Sequence, residues 1–135
     1  MKLVIEAAKK ENSNSGVMWC NLNDVTYTGC QSCLACKAPG VKACVRKDGL
    51  AFVLDVMLAS QVWIIGTPVY MGGVSGQLKL LFDRMYGFTG PDRENRIPAG
   101  KKAIVAVTQA ASQERHKAVA EDARIFLSRR GLETR

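Results

Sequence analysis

Cys30, Cys33 and Cys36 are separated by two residues each, and Cys44 follows after seven intervening residues. Thiolates at this spacing can converge on one centre. A compact run of three with a later fourth is a recognised way to hold an iron–sulfur cluster. The same four sulfurs suit a tetrahedral zinc. A redox-sensing thiol pair is a third reading. The plainest is a set of reduced thiols packed in a loop, and the spacing leaves all four open. Cys20 sits in an apolar stretch and reads as core.

A second stretch, GTPVYMGGVSGQLKLLFDR (Gly66 to Arg84), suggests a ligand rather than a metal. Pro68 stiffens the backbone and holds Thr67 extended. Gly72 and Gly73 allow close approach of the chain to a flat molecule. Tyr70 and Met71 offer apolar surface for an aromatic face. A helix N-terminus at Ser75 favours partial negative charge. Together these features suit a planar, polar-edged ring such as isoalloxazine. His116 is the only histidine, in a charged helical stretch, and no catalytic side chain is assigned.

These residues must be positioned by the elements around them. Lys2 to Ile5 reads as a short buried strand, Glu6 to Glu11 as helix, and Val17 to Leu22 as a second strand. Thr26 to Lys47 reads as an extended surface loop with a turn at Pro39-Gly40. Asp48 caps a helix running to about Ser60, with Leu50, Val53, Leu54 and Met57 at helical spacing. Val62 to Ile65 is a compact strand, and Thr67 to Gly73 the loop after it. Ser75 caps a helix whose stripe is Leu78, Leu81, Phe82 and Met85. Ala103 to Val107 is another buried strand. Ser112 is expected to cap a last helix, closed by Gly131. Alternating strands and helices predict an α/β fold, a doubly wound parallel sheet in three α/β/α layers. Ligands bind such sheets outside the carboxyl ends of the strands. Two loops meet that condition, Thr67 to Gly73 and Thr108 to Ala111.

The chain has 135 residues, which suits one domain over 1–135. It is 47% hydrophobic and 23% charged, a globular mix. There is no apolar run long enough to span a membrane and no signal-peptide pattern, so a cytoplasmic protein is expected. Structural disulfides are then the poorer reading of the cysteines. The net charge is +7, but Lys and Arg are scattered. That argues against nucleic acid and suits an anionic cofactor or a phosphorylated nicotinamide.

The Gly66 to Arg84 stretch resembles the flavin-ring segment of the NADPH-dependent FMN reductases, which share the flavodoxin-like fold. Thr67, Pro68, Tyr70, Gly76 and Lys79 match that pattern, and Asp83-Arg84 its helix end. YTGCQSCLACK (Tyr27 to Lys37), with Cys44 and Asp48-Gly49-Leu50, resembles a cysteine-bearing branch related to iron–sulfur flavoproteins. AIVAVTQAA (Ala103 to Ala111) resembles the second flavin-side loop, with Ala110 where glycine is usual. The resemblance implies FMN held by Thr67, Pro68, Val69, Tyr70, Met71, Gly72 and Gly73 together with Thr108, Gln109 and Ala110. It implies NAD(P)H as electron donor, a quinone, flavin or similar small molecule as acceptor, and a homodimer. An iron–sulfur cluster, if present, would fall to Cys30, Cys33, Cys36 and Cys44.

The sequence departs from the family at both ends. The phosphate-binding loop expected after residue 5 is not intact. One alignment treats Glu6 to Leu22 as the end of a first helix and a second strand. Another sets Lys9 to Ser15 against the phosphate loop, with Asn12, Ser13, Asn14 and Ser15 as contacts. The first is preferred because it needs no gap before the cysteines. A final strand is expected after residue 131, and Leu132 to Arg135 are too few to supply it. Two rival functions follow: an iron–sulfur flavoprotein electron carrier, and a degenerate, non-enzymatic flavodoxin-like domain.

Overall fold

The β-branched and aromatic residues from Val62 onward form a longer strand than their apolar core suggests. In the computed structural model, which describes residues 2–11, 14–112 and 114–135, β1 runs over Val62–Tyr70. The expected loop at Thr67 to Gly73 is therefore half strand. After a tight turn, β2 (Gly73–Val74) folds back antiparallel, with Val69 opposite Val74 and Tyr70 opposite Gly73. Thr67, Val69 and Tyr70 are good strand formers. β1 has little pairing on its second side, the setting in which a strand tolerates Pro68.

β3 (Lys102–Thr108) pairs in parallel with β1 from Val62↔Lys102 to Pro68↔Thr108. β4 (Glu133–Thr134) pairs in parallel with the start of β3. The sheet order is β2-β1-β3-β4. Leu132 to Arg135 thus contribute a two-residue piece of the final strand expected after residue 131. A strand begins there, and the Arg135 amide donates to the Ala103 carbonyl at 3.0 Å.

Helix α1 covers Lys2–Glu11, with Lys9 and Lys10 in its last turn complementing the helix dipole. The strand expected at Lys2 to Ile5 is instead its first turn. Four apolar-rich residues are ambiguous between strand and helix, and the following Glu-Ala-Ala-Lys-Lys-Glu decides for helix. Val17 to Leu22 is also not a strand. Val17, Met18 and Trp19 are exposed, and a 3-10 turn follows at Leu22–Asp24, capped by the Asn21 side chain. Strand formers need a paired neighbour, and this segment has none among the described residues. Of the phosphate-loop candidates, Asn12 and Ser13 lie outside the described residues.

α2 (Gly49–Ala59) starts at Asp48, whose carboxylate accepts from the Leu50 amide. α3 (Gly76–Arg84) starts at Ser75, whose hydroxyl accepts from Leu78. Both caps stand where the sequence puts them. α4 (Lys117–Ser128) begins later than expected, after His116 rather than Ser112. The Ser112 carbonyl instead accepts from the Arg115 amide and the Gln109 side chain, closing a separate turn. Gly131 ends the region in the left-handed conformation, φ +80°.

Trp63 and Ile65 of β1 and Ala103 of β3 share one core with Leu50, Val53 and Leu54 of α2, Leu78, Leu81 and Phe82 of α3, and Ala123 and Leu127 of α4. Phe82 stacks on Phe126 at 4.3 Å, locking α3 to α4. These helices cover one face of the sheet. On the opposite face Val62 and Ile104 remain 48% and 40% exposed. The mixed, mainly parallel, helix-connected sheet is the flavodoxin-like α/β class expected from the sequence.

Candidate functional site

The parallel register carries the two candidate ligand segments to one place. Pro68 lies directly beside Thr108, so the end of β1 and the end of β3 form a single carboxyl rim. Thr67, Pro68, Val69, Tyr70, Met71, Gly72 and Gly73 stand on one side of it. Thr108, Gln109 and Ala110 stand on the other.

The β1–β2 turn is built at Met71 (φ +49°) and Gly72 (φ +75°). Two positive values in succession are what a two-residue hairpin turn requires, because they match the twist of the strands. Glycine meets this freely, and methionine does so at a cost of about 1–2 kcal/mol. Met71 is fully exposed and Tyr70 is 64% exposed. An ideal Cβ on Gly72 would meet nothing within 4 Å. The turn therefore projects an aromatic ring, a thioether and open backbone beyond the sheet.

Thr67 does a different job from its neighbours. It is buried, its hydroxyl donates to the Pro68 carbonyl at 3.0 Å, and it accepts from the Ser75 amide at 3.0 Å. It fixes the hairpin to the start of α3 rather than facing outward.

These residues fit the ring of FMN: a rigid, exposed apolar turn beside backbone groups at a strand end. The phosphate has no matching loop among the described residues, since the chain after residue 5 continues as α1.

The cysteines are sorted rather than gathered. Cys30 and Cys33 are exposed, Cys44 is half-buried and Cys36 is buried. Among the described residues no three Cys, His, Asp or Glu side chains are placed to hold a metal ion. The spacing suits a cluster or zinc; this arrangement does not fit one. The loop that carries them lies along α3. Tyr27 Oη donates to the Gln77 carbonyl at 3.1 Å, and Lys37 Nζ donates to the carbonyls of Tyr86 and Thr89. Burial pushes the Tyr27 phenol up, aided by the charge of Cys20.

Sequence reasoning missed the role of Arg84. It ends α3, its side chain is wholly buried, and its Nε donates to the Cys44 sulfur at 3.0 Å. Its other nitrogens reach the Thr28 and Arg46 carbonyls and both oxygens of Asp48. The available signal was its place beside Met85 on the edge of an apolar stripe. Burial alone would lower the Arg84 guanidinium, but its bonds to Asp48 and the charges of Cys44 and Asp48 raise it above its ordinary value. Among the described residues no helix is long and apolar enough to cross a membrane.

The chain matches the sequence profile of the NADPH-dependent FMN reductases over residues 2–133. Similar curated proteins include an iron-sulfur flavoprotein of Archaeoglobus fulgidus, 32% identical over 84 residues, which are 62% of this chain and 39% of that protein. The iron-sulfur flavoprotein MJ1083 of Methanocaldococcus jannaschii is 41% identical over 64 residues, covering 47% of this chain and 32% of the relative. One of Methanosarcina thermophila is 32% identical over 80 residues, covering 59% and 40%. The chain thus spans less than half the length of each of these relatives. With the profile matched across nearly its whole length, and the rim assembled from the two expected segments, the chain belongs to the NADPH-dependent FMN reductase family.

Proposed function

We propose that this domain serves an FMN-dependent oxidoreductase that passes electrons from NAD(P)H to a small acceptor such as a quinone or a free flavin. The observation that supports this reading most is the register partner pair Pro68 and Thr108. It joins both flavin-side segments under an exposed Tyr70-Met71 turn. Bound FMN would supply the two-electron chemistry. The protein's own part is binding and orientation. Tyr70 and Met71 would cover an apolar ring face, and the open backbone at Gly72 would admit the ring edge. Thr67 and Ser75 would hold the turn in place. No side chain is assigned as acid or base. A homodimer in the cytoplasm, with no nucleic-acid or membrane partner, completes the reading. The scattered Lys and Arg residues support the absence of a nucleic-acid partner.

The rival electron-carrier reading draws on the names of the relatives and on the cysteine spacing. The separated sulfurs weigh against a cluster in this arrangement. The test is anaerobic reconstitution of the chain with FMN, iron analysis, then addition of NADPH or NADH. Flavin retained and bleached by nicotinamide without iron is the expected result. Flavin with stoichiometric iron would establish the electron carrier. No flavin uptake would leave the degenerate domain.

A further inference from the structure

A groove of about 540 Å³ lies between the cysteine loop and the segment after α3, and neither Tyr70 nor Met71 lines it. Leu34, Tyr86 and Pro91 give it apolar and aromatic walls, and Lys37 and Arg93 line it with positive charge. Its volume falls in the range of small-molecule sites. Two of its lining residues are held in an unusual backbone state. Leu34 (φ +55°) and Arg93 (φ +63°) both occupy the left-handed region that non-glycine residues avoid. Such outliers cluster where the surrounding structure serves a function. Leu34 is held there although it is 55% exposed.

Neither charge is met by a carboxylate among the described residues. Lys37 is anchored by carbonyls, 3.6 Å over the Tyr86 ring, and has no carboxylate partner among the described residues. Arg93 has no side-chain partner among them either. The nearby Glu94 is engaged by Arg96 at 3.5 Å and by the Asp92 amide at 3.1 Å. An apolar, ring-walled groove with two cations and no facing anion selects a flat apolar body with a negative substituent.

We propose that this groove binds planar aromatic anions of the class of sulfonated or carboxylated quinones. The choice of a quinone rests on the reductase reading; the binding itself does not. The probe is anthraquinone-2-sulfonate, titrated into the flavin-free chain by calorimetry, with neutral menadione as the comparison. The expected result is one saturable site per chain, with menadione roughly tenfold weaker. Arg93→Glu should weaken the sulfonate roughly tenfold, while Arg93→Lys keeps it. Arg93 is exposed in a turn, so an unchanged melting temperature verifies that Arg93→Glu folds. Saturating FMN should not displace the probe. The proposal is overturned by no saturable binding, by equal affinity for menadione, by an Arg93→Glu variant that binds as before, or by displacement with FMN. Failure to take up FMN would count against the reductase and leave the groove standing.

Discussion

The Arg84 guanidinium grips the Asp48 carboxylate with both terminal nitrogens, at 2.7 Å to one oxygen and 3.2 Å to the other. The pair joins the end of α3 to the start of α2. Arg84 is wholly buried, and the Asp48 side chain is 17% exposed. Removing one partner of such a pair strands a charge out of water, which costs about 3–5 kcal/mol. Asp48→Ala also removes the cap of α2, so urea denaturation at neutral pH should show a loss at the upper part of that range. A loss below about 1 kcal/mol would mean that the pair behaves as a surface ion pair.

The same pair sets an acid limb of stability. Burial would raise the Asp48 carboxyl. The bonds and charge of Arg84, with the Thr28 and Leu50 amides, outweigh that and hold it below its ordinary value. Its contribution is full above the unfolded value, near 3.9, and is lost as pH falls through the lower folded value. The unfolded chain takes up the proton first, which is why acid favours it. The stability gap between the native chain and Asp48→Ala should therefore be flat at pH 5–7, values well above about 3.9, and shrink below it. A gap unchanged at pH 2–3, near and below about 3, would contradict the lowered carboxyl.

Gly87 permits the closest approach of the segment after α3 to the cysteine loop. A Cβ there would stand 2.5 Å from the Cys44 amide nitrogen and 2.9 Å from the Ala43 carbonyl carbon. Both are backbone atoms and cannot swing aside. Gly87→Ala should cost about 1–3 kcal/mol by denaturant titration. It should also push Cys44 away from Arg84, read as faster alkylation of Cys44 in a timed iodoacetamide series.

Tyr70 separates stability from binding. Its ring is mostly exposed, so Tyr70→Ala should change stability by no more than about 0.5 kcal/mol. If the ring lies on the flavin, FMN affinity should fall roughly tenfold, in line with an aromatic contact of about 1 kcal/mol or more. Fluorescence quenching of FMN reads this directly, and an unchanged affinity would remove Tyr70 from the site.

The local signals in the sequence were legible. Asp48 and Ser75 cap α2 and α3 because a cap depends only on a side chain and an amide two or three residues away. That the Thr67 and Thr108 segments share one rim was legible because strand ends set the rim of a parallel sheet. What failed depended on distant partners. Val17 to Leu22 carries strand formers but has no strand beside it among the described residues. Thr67 to Tyr70 carries Pro68 between Gly66 and Gly72, yet its hairpin partner at Val74 draws it into the sheet. The burial of Arg84 was signalled only by its place on the edge of an apolar stripe, because nothing within its own helix indicates that Asp48, Thr28 and Cys44 close over it. The cysteine spacing was plain, but spacing does not say which sulfurs face water.

The one-sided pairing of β1 leaves its own signature in time rather than in energy. In a parallel strand alternate amides point to opposite neighbours. From Val62 to Pro68, β1 has β3 on one side and no partner strand on the other among the described residues. Deuterium should therefore enter this strand in a period of two, slow at amides bonded to β3 and fast at those between them. Uniform protection along Val62 to Thr67 would show that something else lies against that edge in solution.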